Sequence, residues 1–228
     1  MKLAILQTMY DEHDNVLNNI LEVKNKYKDS IFFVTHSFET SSKVLEKIKQ
    51  VSYYNSLPNL GGTMDSLKLP ANAIARNYSD LFKRLYKLNE KVDMIVALTG
   101  DTKIVNANVF EKRYDELKRN NYKIYVCQAK NQIFWSKDKV LNRTQTNRIA
   151  DFMPQLFFVD SIFAFKSKVF ENIPVVNEYT SEQCLGDEFL RHASLNDIGR
   201  LNRDPINWLS YTDGVIWQYL TNGRPGRP

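Results

Sequence analysis

The stretch that most constrains the fold is Asp93-Met-Ile-Val-Ala-Leu-Thr-Gly-Asp101-Thr-Lys-Ile104. An unbroken apolar run rich in Val and Ile, bounded by Asp and Gly, is what a strand buried on both faces of an α/β sheet requires. The carboxyl ends of such strands open into a crevice, where a side chain on the following turn is exposed but rigidly held. Asp101 belongs to that turn. Gly and Asp are also ordinary turn residues, so this segment alone fits a plain turn equally well, and the rest of the chain has to decide.

The flanking segments alternate as a parallel sheet demands. Lys2 to Gln7 reads as a first strand, followed by the polar Thr8 to Asp14 and a helix with Val16, Ile20, Val23 and Tyr27 at helical spacing. Ser30 to Thr35 is a second strand, and His36 to Ser42 leads into a helix through Val44, Leu45, Ile48 and Val51. After a Gly-bearing break at 59–63, residues 71–88 form an amphipathic helix with Ile74, Tyr78, Leu81, Phe82, Leu85 and Leu88 on one face. Beyond the central strand come a helix from Ala107 to Asn120 and a strand from Tyr122 to Gln128. A polar, basic stretch from 129 to 150 around Phe134 and Trp135 has the length of a binding loop or lid. Gln155 to Phe165 reads as a strand, Lys166 to Phe170 as the start of a short helix, and Glu178 to Ala193 as an acidic helix. These elements predict a single α/β domain over 1–215, with a mostly parallel central sheet flanked by helices. The Arg-, Pro- and Gly-bearing residues 216–228 read as a tail or linker.

A chain of 228 residues buries a substantial core without disulfides or structural metal. Its two cysteines, Cys127 and Cys184, lack zinc spacing and read as buried thiols. No apolar run is long enough to span a bilayer, and the first residues turn polar too early for a signal peptide, so a cytoplasmic protein is expected. The net charge of +5 favours anionic partners. The basic residues are spread over helical faces without a basic run interleaved with aromatics, so no nucleic-acid partner is expected. Dinucleotide-binding and Walker glycine loops, metalloprotease histidine spacing and a Gly-x-Ser-x-Gly turn are all absent. What remains is carboxylates on loops, which suit metal-diphosphate binding and general-base work.

Three short motifs in order, Ala75-Arg76-Asn77 on the amphipathic helix, Leu98-Thr99-Gly100-Asp101 after the central strand and Gly186-Asp187-Glu188 on the acidic helix, resemble the pattern of nucleotide-sugar glycosyltransferases of the GT-A fold, a Rossmann-like architecture. The resemblance covers roughly residues 1–195. It implies a nucleotide-diphosphate sugar as donor and a carbohydrate or glycan as acceptor. It places Thr8, Tyr10 and His36 around the base, Asp65 on the ribose or base, Arg76 or Lys103 near the diphosphate, and Asn77 among the substrate-binding residues. Phe158 to Phe165, carrying Asp160, resembles the acceptor-side strand, and Trp135 with Phe134 would stack on a sugar face. Asp101 would hold Mn2+ or Mg2+, with His192 as a further metal ligand. Asp187 would be the general base of an inverting transfer, with Glu188 beside it on the substrate.

The sequence departs from this pattern twice. Thr99 stands where the metal motif has its first Asp, and the alternative frame Asp101-Thr102-Lys103 puts a lysine where an acid belongs. One carboxylate with diphosphate oxygens and waters suffices for a hard cation, and Lys103 can neutralise phosphate directly. Gly186 stands where the family usually has Glu. Asp187 and Glu188 near Arg191 also fit a solvated ion-pair face, and His36 and His192 fit hydrogen-bonded structural histidines. A nucleotidyltransferase, or a non-catalytic nucleotide-sugar-binding module of the same fold, are the alternative readings.

Overall fold

The computed structural model describes residues 1–10, 12–37, 42–58, 72–100, 102–129, 152–174, 181–203, 210–212 and 215–217. Strand β1 (Leu3–Met9) is buried at every position, as is β4 (Met94–Leu98), so each packs against helices on both faces. Next to them run β2 (Ile31–His36) and β3 (Tyr53–Ser56), all four parallel. Helix α1 (His13–Lys26) buries Val16, Ile20 and Val23 in one stripe and places Asp14 in its first turn and Lys24 and Lys26 in its last, matching the helix dipole. Helix α2 (Lys43–Val51) is capped by Ser42, whose side chain accepts from the Leu45 N–H at 3.0 Å. Helix α3 (Asn72–Leu88) carries the chain back across β1 to β4.

The sheet has seven strands in the order β3-β2-β1-β4-β7-β6-β8, where β6 is Ile124–Ala129, β7 Phe152–Asp160 and β8 Ile198–Arg203. The strand β7 runs antiparallel to both neighbours, and β6 and β8 are parallel. The mostly parallel sheet expected from the sequence is therefore present. One core under α1, α2 and α4 (Val109–Arg119) includes Ile5, Val16, Ile48, Val96 and Phe110. The other, under α3, α5 (Ser161–Ser167) and α6 (Ser181–His192), includes Leu6, Phe82, Ile95, Phe157 and Phe189. Ring contacts at 4.7 to 5.5 Å among Phe157, Phe170 and Phe189 hold α6 against β7.

Several boundaries differ from the sequence expectation. The strand expected through Phe165 ends at Asp160, whose carboxylate accepts from the Phe163 N–H at 2.9 Å and caps α5 instead. Lys168 closes α5 in the left-handed region at φ 50°. Strands β3 and β8 were not expected. A second, three-stranded sheet was missed as well, in which β5 (Thr102–Ile104) pairs with β10 (Val215–Trp217) and β10 with β9 (Ser210–Thr212), both antiparallel. Strand β10 straddles the 215/216 boundary, because three apolar residues are too few to stand out from a polar tail. The 129–150 loop lies, beyond Ala129, outside the described residues, as do positions 59–63. Cys184 is buried as expected. Among the described residues no helix is long and apolar enough to cross a membrane.

Candidate functional site

The chain runs outward from β1 to β2 and β3 and then returns to β4 on the other side of β1. Helix α3, on the opposite face from α1 and α2, makes that return, so the strand order reverses between β1 and β4 and a crevice opens outside their carboxyl ends. At the β4 side, the Thr102 N–H donates to the Thr99 carbonyl at 3.0 Å and closes the turn. Gln7 Nε2 donates to the same carbonyl at 3.3 Å, and the Thr99 and Thr102 hydroxyls lie 3.2 Å apart. From α1, Asn15 Nδ2 donates to the carbonyls of Gly100 and of Thr102, the latter at 2.9 Å, and Asn19 Nδ2 to that of Thr102 at 2.7 Å. Asn19 Oδ1 in turn accepts from the Ile104 N–H at 2.8 Å.

Directly above Gly100 lies the carboxylate of Glu12, which is 7% exposed and accepts from the Tyr10 N–H at 2.8 Å. A Cβ at position 100 would stand 2.4 Å from Glu12 Oε2 and 3.1 Å from the Thr8 carbonyl oxygen, so only glycine lets the two loops meet this closely.

On the β2 side, Thr8 pairs in register with Thr35, and Met9 with His36. His36 is fully buried, with Nε2 2.5 Å from the Tyr10 carbonyl and Nδ1 2.8 Å from the Tyr54 hydroxyl. A carbonyl only accepts, so Nε2 carries a proton and donates it there. His36 therefore shapes the wall of the crevice through Tyr10 rather than offering a ring nitrogen to a base. His13 packs edge-on to it at 5.2 Å and meets the Ser42 hydroxyl at 3.0 Å. From α3, Asn77 donates through Nδ2 to Ser37, which follows β2, and Arg76 donates to the Pro58 carbonyl.

Buried polar atoms without a hydrogen-bond partner mark places where a ligand or water can bind. Among the described residues they are Gln7 Oε1, His13 Nε2, Arg76 Nε, Asn77 Oδ1 and Arg113 Nε. All but the last belong to residues at the crevice end of the sheet.

The structure thus brings Thr8, Tyr10, His36, Arg76, Asn77, Thr99 and Gly100 to one end of the sheet. It separates others. Asp160 pairs in register with Met94, at the opposite end of β4 from Leu98, about 13 Å away along a five-residue strand. There it caps α5 and pairs with Lys118. Antiparallel β7 is the reason: an acid at its carboxyl end faces away from the crevice. His192 ends α6, and the chain leaving it reaches Asp197, whose carbonyl accepts from the Lys123 N–H, while the Lys123 carbonyl accepts from the Asp160 N–H. His192 is therefore at the Asp160 end of the sheet, opposite Thr99 and Gly100, where Nε2 meets Glu188 Oε1 at 3.0 Å. Glu188 is 3% exposed and bonds His192, Arg191 and the Phe170 N–H, so its carboxylate serves packing rather than substrate. Lys103 is exposed on β5, opposite Ile216. Asp65, Asp101, Phe134 and Trp135 lie outside the described residues, as does the side chain of Asp187 on α6.

Sequence reasoning missed Glu12, His13, Asn15, Asn19 and Ser37. A signal existed for two of them, since Asn15 and Asn19 recur at i and i+4 beside the apolar stripe of α1. Among the described residues no three of His, Cys, Asp and Glu cluster as a metal cage. The carboxylate at Gly100 is an oxygen donor of the hard kind that Mn2+ and Mg2+ accept, and those ions are commonly held by one or two carboxylates with substrate phosphates completing the shell.

No protein-family model and no curated protein matches the sequence. Solved structures match the fold. Glucosyl-3-phosphoglycerate synthase from Mycobacterium tuberculosis, in complex with Mn2+, UDP and glucosyl-3-phosphoglycerate, superposes with a TM-score of 0.55 at 12% identity, over 88% of this chain and 69% of that one. The chain has the GT-A fold. A crystal structure of a mycobacterial protein gives a TM-score of 0.57 at 11% identity, covering 88% of this chain and 65% of its own. Residues 1–349 of S. aureus TarS give 0.51 at 8% identity, covering 88% and 58%. The GT-A domain described here thus spans between 58% and 69% of the length of these three chains.

Proposed function

We propose that this chain is a nucleotide-sugar glycosyltransferase that transfers a sugar from a nucleotide-diphosphate donor to an acceptor hydroxyl of a carbohydrate or glycan. The observation that carries the reading is the crevice at the carboxyl ends of β1 and β4. There a buried carboxylate lies against Gly100, and buried polar atoms of Gln7, His13, Arg76 and Asn77 lack hydrogen-bond partners at the same end of the sheet, in a fold shared with a synthase solved with Mn2+ and UDP-glucose. Thr8 and Tyr10 would border the base, with Asn77 and Arg76 facing it from α3. Asp101, with Glu12 beside its turn, would hold Mn2+ or Mg2+ against the diphosphate. The bound cation would neutralise charge developing on the leaving diphosphate. Asp187 would remove the acceptor proton as the hydroxyl attacks from the face opposite the leaving group, which inverts the anomeric centre.

The test is thermal-shift titration with UDP, GDP, CDP and dTDP, with and without Mn2+, since a ligand bound by the native state alone raises its stability. A Mn2+-dependent shift with one of them, lost in Asp101→Ala, is expected. No shift with any of the four overturns the reading. Release of free nucleoside diphosphate rather than pyrophosphate separates it from nucleotidyl transfer. A non-catalytic binding module has one observation in its favour: Thr99, at the first acidic position of the motif, is buried and bonded to Thr102. It predicts nucleotide binding that Asp187→Asn leaves untouched, with no turnover in either protein.

A further inference from the structure

We infer that Asn15 and Asn19 are positioning residues that fix the backbone on both sides of Asp101 and thereby set affinity for the diphosphate, an inference that rests on the function proposed above. Their bonds bracket Asp101. Asn15 donates to Gly100 on one side and Thr102 on the other, and Asn19 takes both the carbonyl of Thr102 and the N–H of Ile104. Asn19 is 1% exposed, on the same stripe of α1 that buries Val16, Ile20 and Val23.

Apolar residues are favoured at such a position, and asparagine is a poor helix former. A short amide there supplies a donor and an acceptor at once to a chain segment that leaves the main sheet at Leu98 and has no partner strand until β5. The same helix end presents Glu12 to Gly100 and His13 to His36. Both walls of the crevice are therefore referenced to α1, and a diphosphate bridging them would meet a turn whose placement α1 dictates.

The experiment compares Asn15→Asp, Asn15→Ala and Asn19→Asp with Asn18→Asp, which adds the same charge to an exposed position of the same helix. Affinity for the nucleoside diphosphate that binds wild type is measured with Mn2+ by calorimetry, and folding by circular dichroism and urea midpoint. Wild type and Asn18→Asp should bind alike. Asn15→Asp should bind about tenfold more weakly or worse, because a carboxylate facing two carbonyls offers no donor, and Asn19→Asp should weaken binding as well, because it keeps the acceptor for the Ile104 N–H but loses the donor to the Thr102 carbonyl.

Such a carboxylate holds its proton more tightly than usual, and the protonated form donates one O–H to the turn. The deficit of Asn15→Asp relative to wild type should therefore shrink between about pH 7.5 and pH 5.5, whereas that of Asn15→Ala should not. A purely structural asparagine would not produce that difference. Binding by folded Asn15→Asp and Asn19→Asp equal to wild type overturns the inference alone, as does a deficit that is the same at both pH values for Asn15→Asp and Asn15→Ala. Wild type that binds none of the four nucleotides overturns the proposed function and this inference with it.

Discussion

Replacing Gly100 by alanine inserts one methyl group where the two crevice loops touch. The new carbon would sit 2.4 Å from Glu12 Oε2, 3.0 Å from its Cδ and 3.1 Å from the backbone oxygen of Thr8. Carbon and oxygen atoms need upward of about 3.2 Å, so the carboxylate has to retreat by roughly 1 Å. Its 2.8 Å bond from the Tyr10 N–H would stretch beyond hydrogen-bond range. Overpacking of this kind costs about 1–3 kcal/mol, and the lost charge-assisted bond about 1.5–3 kcal/mol. Because Glu12 can swing partly toward solvent, the net destabilisation of Gly100→Ala should be about 2–4 kcal/mol.

The decisive measurement is a double-mutant cycle by urea unfolding. Glu12→Ala removes the obstacle and leaves the added methyl only the Thr8 carbonyl to avoid, so Gly100→Ala should cost about 1 kcal/mol or less in that background. The double mutant should be more stable than the sum of the singles by about 1–3 kcal/mol, with an unchanged m-value. Additivity within about 0.5 kcal/mol would refute the close approach on which this description of the crevice rests.

Two further expectations concern the scaffold. Tyr86 donates to the Val169 carbonyl at 2.7 Å and is 5% exposed, and burial, with the charges of Glu171 and Glu188 adding to it, pushes its phenol well above the usual range. The folded state thus holds this proton more tightly than the unfolded one, so stability that is complete below a phenol pKa of about 10 should be lost as pH rises past it. Tyr86→Phe should lose about 1 kcal/mol at pH 7 and show a shallower alkaline decline in urea midpoint; an unchanged decline would contradict the assignment. Asp80 accepts from Arg84 Nε at 2.9 Å, from Thr35 at 2.6 Å and from Asn55 at 2.9 Å, while burial lowers the pKa of Arg84. Asp80→Ala should cost about 2–3 kcal/mol, discounted for a pair that remains partly exposed. Adding Arg84→Met should not recover that loss in chemical denaturation, because Arg84 also donates to the Tyr53 and Val34 carbonyls and to the Thr35 hydroxyl.

Much of the scaffold could be read from residue order. The run through Met94–Leu98 needed only its unbroken apolar character, and α3 only the spacing of Tyr78, Leu81, Phe82 and Leu85, because burial on two faces or on one stripe leaves a direct mark on sequence. Strand direction leaves none. Asp160 and His192 looked like crevice residues because nothing in Phe157-Phe158-Val159-Asp160 tells that β7 runs against β4, and its reversal moves the acid to the far end. Phe163 and Phe165 prolonged the apparent strand because the capping of α5 by Asp160 depends on the backbone bending there. Glu12 escaped notice since an acid in a polar loop is unremarked until a glycine from a distant strand is found beneath it. The three-residue strands β5, β9 and β10 are too short for any periodicity to show.

The pairing of β5 with β10 ties the segment immediately after Asp101 to residues 215–217, with Thr102 opposite Trp217. More than a hundred positions of chain thus separate two neighbours on the page of the sheet, and the far one is a lever on the near one. Shortening the chain at residue 214 would remove the strand paired with Thr102–Ile104 and leave that segment its bonds to Thr99 and to α1. Substitutions near the carboxyl end can accordingly retune the crevice without touching any residue that lines it.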